Sequence, residues 1–387
     1  MELSKNQAQE LALNSQLYRQ QALEGKAGVL DLIRQLSYVQ IDTISVVERA
    51  HHHTIWSRIE SYRKEWLDDL LAVDRQIYEH WGHAASYLPM ENYRCSLPRM
   101  ERFPDTSSWE RHYYETHRKV MDKVLDRINA EGPLGARDFE NTGKQKSTNG
   151  WGTGKPEKIA LELLLWKGEL MVERRDRFQR IYNLRERILP EWVNTSYPSE
   201  LEMNRHFILR AIEAMGIATA NDLRSHFMLK QSKAWTEVLN NLVENNEIAK
   251  IQVEKETDRS FILPGALDSL KEYARHPIGL FILSPFDNAT ILRGRLKRLF
   301  AYDYSLECYV PPQKRVYGYW CLPLLYNGQF VGRLDCKANR QSKQMEIISL
   351  HWEAGLADKS LPKKQLQEAF DRFAGFNGCT SARVAGL

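Results

Sequence analysis

Lys158-Ile-Ala-Leu-Glu-Leu-Leu-Leu-Trp-Lys-Gly-Glu-Leu-Met-Val-Glu-Arg-Arg-Asp-Arg-Phe-Gln-Arg-Ile-Tyr182 changes its apolar period midway. Before the break, Ile159, Leu163 and Trp166 recur at helical spacing. Gly168 then opens two β-like runs, Glu169–Arg174 and Phe178–Tyr182, joined by a short charged turn. Upstream, Val120, Met121, Val124, Leu125 and Ile128 mark an earlier helix. The breaker Gly132-Pro133 follows it, then a short helical candidate at Ala136–Phe139. Helix, helix, helix, hairpin is the order of a winged helix-turn-helix, in which the third helix reads DNA and the hairpin forms the wing.

The order recurs on both sides. Met203, Phe207, Ile208, Ala211, Ile212 and Met215 make a helical face ended by Gly216. Thr219 to Phe227 reads as a second helix, and Trp235, Val238, Leu239, Leu242 and Val243 as a third. Ala249, Ile251 and Val253 alternate as a strand, and Ser260–Leu263 returns after a charged loop. A fainter copy opens the chain, with a helix near Gln7–Ala22, a break at Gly25 and a second helix carrying Val29, Leu30, Ile33 and Leu36. After Pro277, short apolar runs such as Leu306–Val310, Tyr317–Leu322, Gln329–Leu334 and Met345–Leu350 are separated by turn signals, among them Asn327-Gly328. The predicted fold class is α+β, three tandem winged helices and a β-rich end. Its segments are a first winged-helix-like unit at 1–60, a helical connecting segment at 61–116, a second winged helix at 117–190, a third at 200–265, and a β-rich section with a terminal helix at 277–387.

Composition narrows the function classes. The chain has 387 residues, 43% of them hydrophobic and 27% charged, as in ordinary globular proteins and unlike disordered ones. No apolar run approaches the roughly 18 residues of a membrane-spanning helix. The opening Met-Glu-Leu-Ser-Lys-Asn-Gln is polar rather than signal-like. A cytoplasmic protein is expected, associated with the nucleoid when bound to DNA. Five scattered cysteines without a CxxC pair predict neither a disulfide framework nor a zinc site. Lys and Arg number 54 against 50 Asp and Glu, so any contact with a polyanion must rest on local clusters rather than on the net +4.

Such clusters exist. Arg174, Arg175, Arg177 and Arg180 lie in or beside the first clear wing, and Lys155 and Lys158, with Lys144 and Lys146, flank the helix before it. Arg293 and Arg295 lead a second basic stretch that runs to Arg298. Solvated surface is the usual meaning of a charge run, but at a wing these residues are candidate phosphate ligands. Gly150-Trp-Gly-Thr-Gly154-Lys155-Pro156 superficially resembles a phosphate-cradling loop. It lacks the first Walker glycine, the Ser or Thr after the lysine, and a preceding strand, so nucleotide binding is not expected.

The chemistry-bearing candidates lie early in the chain. In Tyr38-Val-Gln40-Ile-Asp42-Thr-Ile44, an extended backbone puts Gln40 and Asp42 on one face and Val39 and Ile41 on the other. An amide and a carboxylate together can hold one water, the carboxylate accepting its proton and the amide fixing its orientation. The plainer alternative makes Asp42 an N-cap or turn residue. Of the histidines, His51, His52 and His83 are candidate pocket residues. The adjacent His51-His52-His53 cannot converge on one metal, because successive side chains diverge. His80 and His83 could share a helix face, yet no partner ligand has convincing spacing. Neither metal nor cofactor is expected.

Leu36-Ser-Tyr-Val-Gln-Ile-Asp-Thr-Ile-Ser-Val-Val-Glu-Arg-Ala-His-His52 resembles the signature of the winged-helix DNA glycosylases of the YcaQ (AlkX) and AlkZ type. Trp81-Gly-His-Ala-Ala-Ser-Tyr-Leu-Pro89, Leu283-Ser-Pro-Phe-Asp-Asn288, Tyr317-Gly-Tyr-Trp320 and His351-Trp352 agree in order. The resemblance implies removal of alkylated purines from duplex DNA, including bases tied into interstrand crosslinks. It also implies that Gln40 and Asp42 are catalytic, since the family motif is Gln, an apolar residue, then Gln or Asp. Asp at the last position is similar to the YcaQ branch and departs from the self-resistance branch. The expected partner is double-stranded DNA bearing alkylated bases, held by a monomer. The competing class is a non-enzymatic winged-helix regulator. Regulators of that type usually dimerise on palindromic sites, and no long heptad seam is visible here.

Overall fold

The computed structural model describes residues 1–18, 23–105, 107–139, 155–273, 279–354 and 362–384. They form two compact units, one of Met1–Tyr62 with Asn204–Leu387, the other of Arg63–Met203. Lys144, Lys146 and the glycine-rich loop at 150–154 lie outside the described residues.

The unit Arg63–Met203 is built around the stretch that changes period. The helix Ser108–Glu131 starts where Ser107 Oγ accepts the Glu110 N–H at 3.1 Å, and it buries Met121, Val124 and Ile128. The helix Pro156–Lys167 has proline in its first turn, where no N–H is missed, and buries Leu161, Leu164 and Leu165. Each such leucine removed from water contributes about 1.5–3 kcal/mol. Gly168, at φ 76°, ends that helix in the left-handed region, where a Cβ would meet the Met100 side chain. Leu170–Asp176 and Gln179–Leu184 then pair antiparallel, and Leu134–Gly135 joins Gln179–Leu184 as the third strand. The wing therefore exists as a hairpin, with a register shift between Val172 and Arg174. Its tip, Arg177 and Phe178, has φ 45° and 73°, two left-handed residues in succession without a glycine.

The segment 61–116 departs from the helical expectation. Helices Lys64–Ala72 and Leu97–Arg102 flank an antiparallel hairpin, Ile77–Trp81 with Ala85–Pro89. Both strands are nearly continuously buried, so no polar-apolar alternation marked them. His80 sits on the first strand and His83 in the bend between the two, so they share no helix face.

In the other unit, which resumes at Asn204 within the helix Glu200–Met215, that helix is followed by Ala220–His226 and Lys233–Glu244. Thr219 and Asp222 form a capping box at the start of Ala220–His226, each side chain accepting the other's backbone N–H. Strands Ala249–Val253 and Ser260–Ile262 make the wing. The first residues of the chain complete its sheet, Glu2–Leu3 pairing parallel with Ala249–Val253. The N-terminal segment itself supplies helices Lys5–Asn14 and Gly25–Leu36 and, among the described residues to position 60, no hairpin of its own.

The β-rich end is a five-stranded sheet in the order Leu280–Ile282, Cys321–Tyr326, Gln329–Asn339, Gln344–Trp352, Ser381–Val384. Asn327 and Gly328, at φ 44° and 83°, make the tight turn that their dipeptide foretold. Helix Lys363–Phe376 covers one face, burying Phe370 and Phe373 with Trp320, Leu334 and Ile347. The expected strands at Leu306–Val310 and Tyr317–Leu322 are instead a short 3-10 turn, Glu307–Tyr309, and a loop that enters its strand only at Cys321. There the backbone N–H groups are satisfied by carboxylates rather than by a ladder.

Candidate active site

Gln40 and Asp42 lie on a strand and loop fastened at both ends. Ser37, left-handed at φ 69°, stops helix Gly25–Leu36 and turns the chain. Immediately before the motif, Asn288 Nδ2 donates to the carbonyls of Leu36 and Tyr38 at 3.3 and 3.1 Å. Beyond it, the Ala338 N–H donates to Val46 O at 3.0 Å, and Arg340 reaches the carbonyls of Ser45 and Val47. The Glu48 N–H donates to Asn377 Oδ1 at 2.6 Å. The β-rich end thus fixes the course of the motif. Sequence reasoning missed this, although Asp287-Asn288 stood among the stretches that carried the resemblance. Arg340 and Asn377 had no local signal.

Val39 is fully buried and anchors the strand. Gln40 is 8% exposed, and its Oε1 has no hydrogen-bond partner among the described residues. A buried acceptor without a partner costs roughly 1–3 kcal/mol unless a water or ligand serves it. Asp42 is half-buried, and its Oδ1 accepts the Ile44 N–H at 2.7 Å. The turn role is therefore real, yet it occupies one oxygen only. Burial raises the Asp42 carboxyl above its ordinary range, opposed by the Ile44 N–H.

Asp287, the neighbour of Asn288, belongs to a charged cluster. Arg58 and Asp287 pair with both side chains fully buried, Nη1 to Oδ2 at 2.7 Å and Nη2 to Oδ1 at 2.9 Å. Tyr18 donates to Asp287 Oδ1 at 2.8 Å, and the guanidinium lies 4.3 Å from the Tyr18 ring centroid. Arg58 spends its remaining donors on Gln16 O and Oε1, Thr54 O and Ser57 Oγ. Burial alone would raise the Asp287 carboxyl. The Arg58 guanidinium, the Ala289 N–H and the Tyr18 hydroxyl outweigh it and hold the group below its usual range.

The histidines have local duties. His51 is 1% exposed and lies 4.2 Å from the His52 ring, centroid to centroid. His52 Nδ1 is 2.8 Å from the Tyr62 hydroxyl. His53 Nε2 is 2.9 Å from Ile282 O, and burial lowers its pKa to about 4. His83 belongs to the unit Arg63–Met203, half-buried in the hairpin bend. Among the described residues no group of His, Cys, Asp and Glu could hold a metal ion.

The basic residues divide sharply. Arg175 and Arg180 do not face solvent. Both grip Glu79 on the 77–81 strand, Arg175 through Nε at 2.5 Å and Nη2 at 2.6 Å, Arg180 through Nε at 2.8 Å. Glu79 is 3% exposed, and this pair of guanidiniums overrides burial to keep its carboxyl low. The expectation that all four wing arginines meet phosphate is corrected accordingly, because two of them bind the hairpin to the wing. Arg293 and Arg295 are corrected likewise. Arg295 is 6% exposed and donates to the carbonyls of Met215 and Ile217, while Arg293 donates to those of Pro285 and Thr290. Arg174, Arg177, Lys155 and Lys158 remain exposed on wing and helix. Replacing Arg174 and Arg177 together by glutamine is expected to weaken duplex binding equally across sequences, and to reduce the slope of log affinity against log salt by about 2. Titrations at several salt concentrations measure both; an unchanged slope removes these residues from the interface.

A family model described as "DNA glycosylase AlkZ-like" matches residues 33–376. Among solved structures, the Streptomyces sahachiroi DNA glycosylase AlkZ is similar with a TM-score of 0.67 and 15% identity, over 100% of each chain. At that identity the second likeness bears on the fold.

Proposed function

The chain belongs to the AlkZ-like DNA glycosylase family, and from that premise we propose that it hydrolyses the N-glycosidic bond of N7-alkylated purines in duplex DNA. Family membership sets the regulator alternative aside. The observation that carries the finer reading is Asp42, a half-buried carboxylate with one oxygen committed to the Ile44 turn and the other not, two residues from a buried amide oxygen that lacks a partner.

Alkylation at N7 makes guanine cationic and therefore a good leaving group. The C1′–N9 bond breaks with its electron pair passing to the base, which becomes neutral, and positive charge develops on the sugar. Asp42 stabilises that charge and takes the proton of a water whose oxygen bonds to C1′, and Gln40 orients the water. Little acid catalysis of departure is needed. A base tied to the opposite strand cannot readily be flipped out alone, and a scaffold of winged helices tracking the duplex suits such a crosslink. The protein acts as a monomer in this reading. No helix among the described residues is long and apolar enough to cross a membrane.

Product analysis tests the reading. Duplexes carrying one N7-methylguanine, or an N7-linked interstrand crosslink, are incubated with the protein, and free base and abasic sites are measured. Release from the monoadduct is expected, with unhooking of the crosslink. Binding without release from either would overturn the reading.

A further inference from the structure

Tyr309 is an aromatic side chain on a rigid frame with no core to fill. It is 74% exposed, and Val316 nearby in sequence is 71% exposed. The backbone around it is nonetheless held by two carboxylates. Glu307 accepts the N–H groups of Val316, Tyr317 and Gly318 at 3.0, 2.8 and 3.1 Å. Asp335 accepts those of Tyr319 and Trp320, each at 3.0 Å. Gly318, at φ 141°, passes so close to Asp335 that any Cβ would collide with its carboxylate. Arg315 Nε closes the loop onto Val310 O at 2.9 Å. So many bonds spent on ordering an exposed loop indicate a surface prepared for a ligand.

The loop also lies beside the proposed catalytic carboxylate. Ile44, two residues after Asp42, packs against the same hydrophobic cluster as Leu306 and Cys308, which precede Tyr309. The Asp42 charge accordingly bears on both Cys308 and Tyr309, raising each group after burial has done so. Tyr319 already carries a cation, the Arg315 guanidinium 4.9 Å from its ring centroid.

We propose that the exposed ring of Tyr309 is the platform on which the positively charged base lies as its glycosidic bond breaks, making Tyr309 a residue that selects cationic over neutral bases. The inference rests on the glycosylase reading above. An electron-rich ring face attracts a cation by its quadrupole, and a neutral base gains only the weaker stacking. The base still carries part of its charge in the transition state, so the attraction lowers the barrier measured from free enzyme and DNA, and it vanishes once the base is neutral and can leave.

The full chain is made with phenylalanine, mono-, di- and trifluorophenylalanine, or leucine at position 309. Single-turnover base release is measured with enzyme below saturation, on a duplex with one N7-methylguanine, beside binding to the undamaged duplex. Phenylalanine is expected to keep the rate within about 3-fold, successive fluorines to lower it stepwise, and Tyr309→Leu to lower it about 10-fold. Binding to undamaged DNA stays level throughout, which a merely structural role would not predict. Rates that are flat across the fluorinated series, or a leucine variant within about 2-fold of the wild type, overturn the inference while base release by the wild type keeps the glycosylase reading standing. A wild type that binds and releases nothing overturns both.

Discussion

Asp42→Asn is expected to release base from an N7-methylguanine duplex about 100- to 1000-fold more slowly than the wild type, with duplex affinity unchanged. Asparagine is the informative substitution because the proposed mechanism adds a second duty to the turn role of Asp42. Its Oδ1 accepts the Ile44 N–H at 2.7 Å, and an asparagine Oδ1 can still do so, which preserves the turn. What disappears is the negative charge, and with it, in the proposed mechanism, the stabilisation of the sugar cation and the base that takes the proton of water. Alanine would remove turn and charge together and so could not separate them. The pH dependence carries the same information. Burial holds the Asp42 carboxyl above its ordinary range, so the protonated, inactive form persists to higher pH than for an exposed aspartate. The rate should rise with pH as Asp42 loses its proton and then level off, with the acid limb above the usual value of about 4. That limb is absent in Asp42→Asn. Wild-type-like release by the variant would return Asp42 to a purely structural role.

Asp287→Ala is expected to destabilise the unit containing it by about 3–5 kcal/mol, measured by chemical denaturation. The carboxylate meets Arg58 through two hydrogen bonds and Tyr18 through a third, all with no access to water. Deleting it leaves a guanidinium buried without its counter-charge, which costs more than the pair itself contributes. The double variant Arg58→Met with Asp287→Leu should therefore lose less than the single one, because no orphaned charge remains. A single variant within about 1 kcal/mol of the wild type would show that water reaches the guanidinium. The linkage sign follows from the low folded-state pKa of Asp287. Its contribution is complete above the unfolded value, near 4, and is lost as pH falls through the lower folded one. Asn288, next in the chain, holds the carbonyls of Leu36 and Tyr38. Damage to the cluster should thus also loosen the path to Gln40 and Asp42.

Much of the fold was legible because winged helices are local objects. Helix period, a glycine stop and a β pair over a few residues are all that Pro156–Lys167, Leu170–Asp176 and Gln179–Leu184 require. The hairpin at Ile77–Trp81 and Ala85–Pro89 was not legible, because strands buried on both faces lose the alternation that separates them from helices. The runs Leu306–Val310 and Tyr317–Leu322 read as strands because their residues are β-formers, while the carboxylates that capture the N–H groups between Val316 and Trp320 include Asp335, distant in sequence. The Gln40-Ile-Asp42 motif was legible as spacing, but not the fastening that shapes it, since Asn288, Arg340 and Asn377 are all more than two hundred residues away.

By itself the sequence determined the helix-and-hairpin units, the β-rich end, and the spacing that makes Gln40 and Asp42 a candidate pair, since each depends on residues adjacent in the chain or one turn apart. Tertiary structure alone decided which charges face outward. Arg174 and Arg175 are neighbours of identical chemistry, yet Glu79, about a hundred residues earlier, takes Arg175 into the interior and leaves Arg174 exposed. A guanidinium carries the same charge wherever it lies, and only the fold determines whether a buried carboxylate or water surrounds it.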